Sequence, residues 1–226
     1  MKYISLFIGI VFLASCSTMP VITAPMLLAT HKNLPCPSPF LKEKYQLIHA
    51  IEVNAAGNVQ GAIIGVTVVD PYTRFVSCAI MSAEGMVLLE AKSEGEKLII
   101  YRALPPFDSG DFAKNLIDDI RLIYFNPQGL LQKKGNLPDG STACRWQEEN
   151  GNFIDVIAGK PESTEIKKYS VGGRLKRYIK ITQKAGNPYS IIELQGSEMV
   201  DYTLLMTLIE AQPVKTIKGK NSEKKR

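Results

Sequence analysis

Residues 111–125 read DFAKNLIDDIRLIYF. Phe112, Leu116, Ile117, Ile120, Ile123 and Tyr124 recur at three- and four-residue steps and share one helical stripe, while Lys114, Asp118, Asp119 and Arg121 lie opposite. Asp111 stands where an N-cap belongs, and Asn126-Pro127 can end the helix. The spacing therefore predicts one amphipathic helix. On both sides of it the apolar period drops to two, so the chain is mainly β with α, and a single helix must cover an antiparallel sheet.

Upstream, Leu47, His49, Ile51 and Val53 share one side of a strand, Ala56-Gly57-Asn58 supplies a turn, and Ala62, Ile64, Val66 and Val68 share one face of the return strand, ended by Asp70-Pro71. Three more strands are expected near Thr73–Met81, Met86–Ala91 and Lys97–Ala103, joined by Ala83-Glu84-Gly85 and Ser93-Glu94-Gly95-Glu96. After the helix comes a loop rich in Gly, Lys and Asp. Strands then resume near 143–147, 153–158, 165–170, 175–183, 189–194 and 200–210, punctuated by Gly151-Asn152, Gly172-Gly173 and Asn187-Pro188. The expectation is about eleven strands, five before the helix and six after, with no internal repeat beyond a hairpin-like echo within 82–96.

Such a sheet hides its apolar face most simply by curling into an incomplete barrel with the helix in its mouth. The concave lining expected on this basis is Ile64, Val66, Val68, Ile179, Ile181, Leu204, Met206 and Leu208, with Leu116 and Ile120 facing down from the helix. Each of these is also an ordinary core residue type.

The amino terminus carries Lys2, an apolar run over 4–14 and then Cys16. The run is about 11 residues, half of what a membrane-spanning helix needs, so residues 1–15 read as a secretory signal. Leu13-Ala14-Ser15-Cys16 resembles the bacterial lipobox, which implies cleavage before Cys16 and acylation of its thiol, palmitate included. Several acyl chains anchor stably, since each buried methylene adds about 0.8 kcal/mol. By similarity to enterobacterial lipoproteins, Ser17 rather than Asp implies the outer membrane, with the domain on its periplasmic face. Residues 16–40 hold Pro20, Pro25, Pro35, Pro37 and Pro39 and read as a Pro-rich tether before the domain at 41–213.

The net charge of +5 is local. Residues 214–226 carry six basic residues and one Glu, and Lys2 leaves with the signal, so residues 16–213 sum to −1. The tail has no apolar period and is expected to be disordered, with anionic lipid head groups as its functional alternative. Nucleic acid is not an expected partner. Beyond Cys16 there are Cys36, Cys78 and Cys144, enough for one bridge. Cys78 sits inside an apolar strand and reads as buried, which favours Cys36 with Cys144, although connectivity does not follow from sequence.

No catalytic constellation stands out. The two histidines, His31 and His49, sit in no motif, and His49 reads as a hydrogen-bonded core residue. Ser170-Val171-Gly172-Gly173 and Gly196-Ser197 lack the strand, elbow and helix of a hydrolase nucleophile. Asp118-Asp119 and Glu148-Glu149 are adjacent pairs that cannot jointly face one ion in a regular element. We expect no enzyme activity, no metal and no cofactor.

The order of elements resembles the periplasmic LolA/LolB lipoprotein carriers, and more closely a family of uncharacterised bacterial lipoproteins related to LolB. Residues 82–90 (SAEGMVLLE), the Leu104-Pro105-Pro106 step and residues 116–124 (LIDDIRLIY) carry the resemblance, which covers roughly 36–211. It implies an eleven-strand half-barrel, a helical lid and an apolar cavity for acyl chains. It also implies an association with pathways that build unusual lipids or polyene pigments for the outer membrane. One departure stands out: the lipoprotein receptor LolB carries an exposed Leu between its third and fourth strands, where this chain has only Ser82-Ala83-Glu84-Gly85.

The function expected is that of a membrane-anchored lipoprotein sheltering acyl chains of a lipid or lipoprotein in outer-membrane transport. The alternative is a non-enzymatic envelope assembly lipoprotein with a dry core and protein partners.

Overall fold

A computed structural model of the chain describes residues 19–23, 35–55, 58–159, 162–184, 187–197 and 201–214. The expected signal peptide, Cys16, Ser17, His31 and the tail beyond residue 214 lie outside the described residues.

Five strands come first: β1 Tyr45–Ala55, β2 Asn58–Asp70, β3 Phe75–Met81, β4 Val87–Glu94 and β5 Lys97–Ala103. Helix α1 spans Phe112–Tyr124. Seven strands follow it: β6 Leu130–Asn136, β7 Thr142–Gln147, β8 Phe153–Ala158, β9 Ser163–Tyr169, β10 Leu175–Lys184, β11 Asn187–Ser197 and β12 Asp201–Pro213. All twelve strands form one sheet in the order β5-β4-β3-β2-β1-β12-β11-β10-β9-β8-β7-β6, antiparallel throughout. The chain thus starts at the centre and meanders to one edge. It crosses to the other edge through α1 and meanders back, closing β12 against β1.

The twelve strands agree roughly with the expected count of about eleven, and the additional one is β6. β6, Leu-Leu-Gln-Lys-Lys-Gly-Asn, was expected to be loop. It is an edge strand with residues 130–134 exposed on both faces, so no burial imposes the alternation by which a strand is read.

The sheet is open, with β5 and β6 as its edges, and it curls. Arg121 Nη2 of α1 donates to Ser93 Oγ on β4 at 2.9 Å, while Asp119 of α1 accepts from Arg177 Nε on β10 at 2.8 Å. Six strand intervals separate β4 from β10, about 29 Å if flat, whereas a helix with its side chains is about 10–12 Å across. Both contacts are met only because the sheet wraps around the helix.

That wrapping also explains why Asp119 is buried although it was placed on the solvent side. A stripe of apolar residues serves a helix lying on a flat surface, but one held in a trough is flanked by sheet on three sides. Asp111 occupies the N-cap position, where its carbonyl accepts from Asn115 N at 2.9 Å and its side chain makes no capping bond.

Residues 19–23 within the expected tether, and its end at Pro39 and Phe40 with the adjoining Leu41, pack against the sheet. Phe40 and Leu41 are buried in the main core, Leu41 N donates to Tyr124 O, and Tyr189 Oη donates to Pro39 O. Met19–Thr23 crosses the other face and makes an isolated bridge to Asn136. Cys36 is disulfide-bonded to Cys144, and Cys78 is free and buried.

Candidate functional site

The face of the sheet under α1 is the candidate site, and register identifies its members. Leu47, His49 and Ile51 of β1 lie opposite Thr67, Gly65 and Ile63 of β2, which in turn put Val76, Cys78 and Ile80 of β3 on the same side. Across β1 the inner face continues through Leu204, Met206 and Leu208 of β12. Beyond it come Ile192 and Leu194 of β11, then Ile179 and Ile181 of β10.

Of the expected lining, Ile120, Ile179, Ile181 and Met206 are buried in this core, and Leu116, Leu204 and Leu208 pack against it half-buried. Ile64, Val66 and Val68 do not belong there. They pair with Ala50, Ile48 and Gln46 on the outer face. β2 is apolar on both faces, and its inner one is thinned by Gly65, where a Cβ would stand only 2.7 Å from Ile51 Cδ1. The more hydrophobic face of this strand is therefore the outer one. Ile51, Ile63, Leu88, Phe107, Phe112 and Tyr202, absent from the expected lining, do pack against the core. For Ile51 the signal was available, since it shares a side with Leu47 and His49.

Exposure varies along this face. At the end where α1 finishes, Leu47, Val69, Val76, Tyr124, Tyr189 and Ile181 are sealed, and Tyr45, Leu98 and Ala211 are half-buried. Around the first half of α1, near the β1–β2 and β11–β12 turns, Leu89 and Leu194 are sealed, and Ile51, Ile63, Leu88, Leu116 and Leu204 are half-buried. Two recesses lie at these ends, the larger beside the β11–β12 turn and the smaller beside Tyr189. One of about 310 Å³ lies among Leu175, Tyr178, Gln195, Gly196 and Tyr202, and one of about 180 Å³ lies among Pro39, Phe40, Tyr45 and Tyr189. None of the ten expected lining residues borders either.

Two polar side chains of α1, Asp119 and Arg121, tie the helix to the sheet. Asp119 is clasped by Arg177 and also accepts from Tyr202 Oη at 3.1 Å. Burial raises its pKa against the pull of the Arg177 guanidinium. Arg121 donates to Ser93 and to the Gly95 carbonyl, tying the end of the helix to the β4–β5 turn. His49 is buried as expected, but its Nε2 has no hydrogen-bond partner, and burial lowers its pKa to about 4. Among the described residues no group of three His, Cys, Asp or Glu could hold a metal ion. No helix among them is long and apolar enough to cross a membrane.

No protein-family model matches the sequence, and no curated protein matches it. Among solved structures, the chain is similar to a LolA superfamily protein from Nitrosomonas europaea, with a TM-score of 0.52 at 12% identity over 78% of this chain and 89% of that one. At that identity the likeness bears on architecture alone. The open twelve-stranded antiparallel sheet wrapped around one helix is a LolA-like fold.

Proposed function

We propose that the protein is a lipoprotein held on the periplasmic face of the outer membrane through acylated Cys16, and that its curled sheet shelters acyl chains of a lipid or lipoprotein in transit beneath α1. The observation that carries this is the half-buried apolar band of Ile51, Ile63, Leu88, Leu116 and Leu204 around the first half of α1. The polar ties of the helix to the sheet fall at Asp119 and Arg121, in its second half. Its first half rests on apolar contacts that an acyl chain can replace at little cost, because hydrophobic contact is non-directional. The LolA-like fold agrees with the carrier role that the resemblance implies, and the Cys36–Cys144 disulfide agrees with an oxidising compartment.

A second reading is favoured by one observation. The far end of the same face is filled with fully buried side chains, as an assembly lipoprotein with a dry core and protein partners would require.

Native mass spectrometry separates the two. The chain from Ser17, produced in the periplasm without Cys16 and purified without detergent, is expected to carry lipid in fixed ratio. Leu204→Asp should abolish that lipid, and Val66→Asp on the outer face should not. A clean apo mass that persists after incubation with envelope lipids overturns the carrier reading in favour of protein partners. Export and acylation are tested by palmitate labelling, which Cys16→Ala must abolish.

A further inference from the structure

Residues 19–23 form a strap with a fixed course across the outer face. Met19 lies over the β9–β10 turn, its side chain 3.8 Å from where a Cβ of Gly173 would stand. Pro20 O accepts from Arg145 Nη2 at 3.0 Å, and Arg145 is itself clamped on both carboxylate oxygens of buried Asp155 at 2.6 Å. Ile22 is buried against Ala143 and Ile157. Thr23 exchanges backbone hydrogen bonds of 3.0 and 2.9 Å with Asn136.

The strap therefore points towards residue 16 from one particular end of the sheet. The pairings Ala55 with Tyr202, Tyr202 with Gly196, Gly196 with Arg177 and Leu175 with Tyr169 place the β1–β2, β11–β12 and β9–β10 turns together. The half-buried Ile51, Ile63, Leu88 and Leu204 of the apolar face under α1 lie at that end. Cys16 precedes Met19 by three residues, a reach of about 11 Å at full extension.

We propose that this end of the half-barrel rests on the lipid bilayer, with Val171 at the tip of the β9–β10 turn in contact with it, so that the apolar face under α1 opens directly onto the membrane. The proposal rests on acylation of Cys16. Val171 is 65% exposed, and Leu130, at the start of β6 on the same end, is 73% exposed. Solvent-facing apolar side chains at the foot of a lipid anchor gain by entering the interface. The exposed charges at the β3–β4, β7–β8, β9–β10 and β11–β12 turns are mainly acidic, Glu84, Glu149 and Asp201 against Arg174. Apolar contact and the anchor, rather than anionic head groups, therefore hold the orientation, and the contact persists at high salt.

The test uses the full chain, matured in cells and reconstituted in phosphatidylethanolamine–phosphatidylglycerol vesicles containing brominated acyl chains. Val171→Cys and, at the opposite end, Tyr72→Cys carry a fluorophore. Cys78 does not compete, being buried with its thiol pushed up to about 12. Quenching at 171 and none at 72 is the expected result. Ile22→Asp, which frees the strap while leaving Cys16 in place, should lose most of the quenching at 171. An acylated chain quenched equally at both positions, or at neither, overturns this orientation while leaving the anchor and the acyl-binding face standing, as does undiminished quenching in Ile22→Asp. An intact mass without acyl chains on Cys16 overturns the anchor, and the orientation with it.

Discussion

Asp119, on the helix, and Arg177, on β10, form a buried ion pair across the concave face, Nε to Oδ1 at 2.8 Å, and the second carboxylate oxygen accepts from Tyr202. The pair joins the element that covers the sheet to the half of the sheet farthest from it in sequence. Breaking a buried pair costs about 3–5 kcal/mol. Asp119→Ala should therefore lower the stability measured in urea by that order. Asp119→Leu combined with Arg177→Met should lose less than either single change, because neither charge remains. A double variant as unstable as the sum of the singles contradicts the pairing.

The Cys36–Cys144 disulfide spans a sequence separation of 108 residues and fastens the chain ahead of β1 to the inner face of β7. In the chain-entropy account, a loop near that size is worth about 4–5 kcal/mol, and removing a native disulfide costs about 2–5 kcal/mol. Cys36→Ala with Cys144→Ala should shift the urea midpoint down accordingly. Cys78→Ala should not reproduce the shift in size, since it only removes a small buried group. An unchanged midpoint in the double variant would show that core packing alone holds Phe40 and Leu41.

Gly135 lets the strap approach β6. A Cβ there would lie 1.9 Å from the Thr23 carbonyl, which no flexible side chain can relieve because the atom is backbone. Gly135→Ala should displace Thr23 and break its two backbone bonds to Asn136, each worth about 1 kcal/mol. Hydrogen exchange at the Thr23 and Asn136 amides is the measurement. Both should lose protection while β10 to β12 keep theirs, and retained protection at Thr23 refutes the close approach.

What was legible in the sequence was what burial imprints on one face. The helix lies within a residue of its expected bounds because its stripe is long and its ends are punctuated. Leu204, Met206 and Leu208 alternate with Thr203, Leu205 and Thr207, a contrast sufficient to put them inside. In β2 both faces are apolar and the inner one is interrupted by Gly65 and Thr67, so alternation reveals two faces without saying which is buried. β6 lacks alternation because neither of its faces is covered over 130–134. The inward turn of Asp119 depends on the curl of the sheet, a long-range property that a local period does not carry.

His49 sets a pH dependence. It sits on the inner face opposite Gly65 and Leu208, with Nε2 unpartnered and its pKa lowered by burial from 6.5 to about 4. On acidification the unfolded chain therefore takes up a proton before the folded one does. Its contribution is fully present above pH 6.5, declines as the pH falls, and levels off near pH 4, where the folded state protonates as well. At about 1.4 kcal/mol per pH unit, the loss across that window is of order 3 kcal/mol. His49→Leu removes the titrating group and the unsatisfied nitrogen together, so it should match or exceed the parent at pH 7, and its margin should widen towards pH 4. Asp119 titrates in both proteins and cancels in the comparison. Urea unfolding of the two chains at pH 7, 5.5 and 4.5 measures the margin, and parallel stability curves would mean that His49 reaches solvent in the folded state.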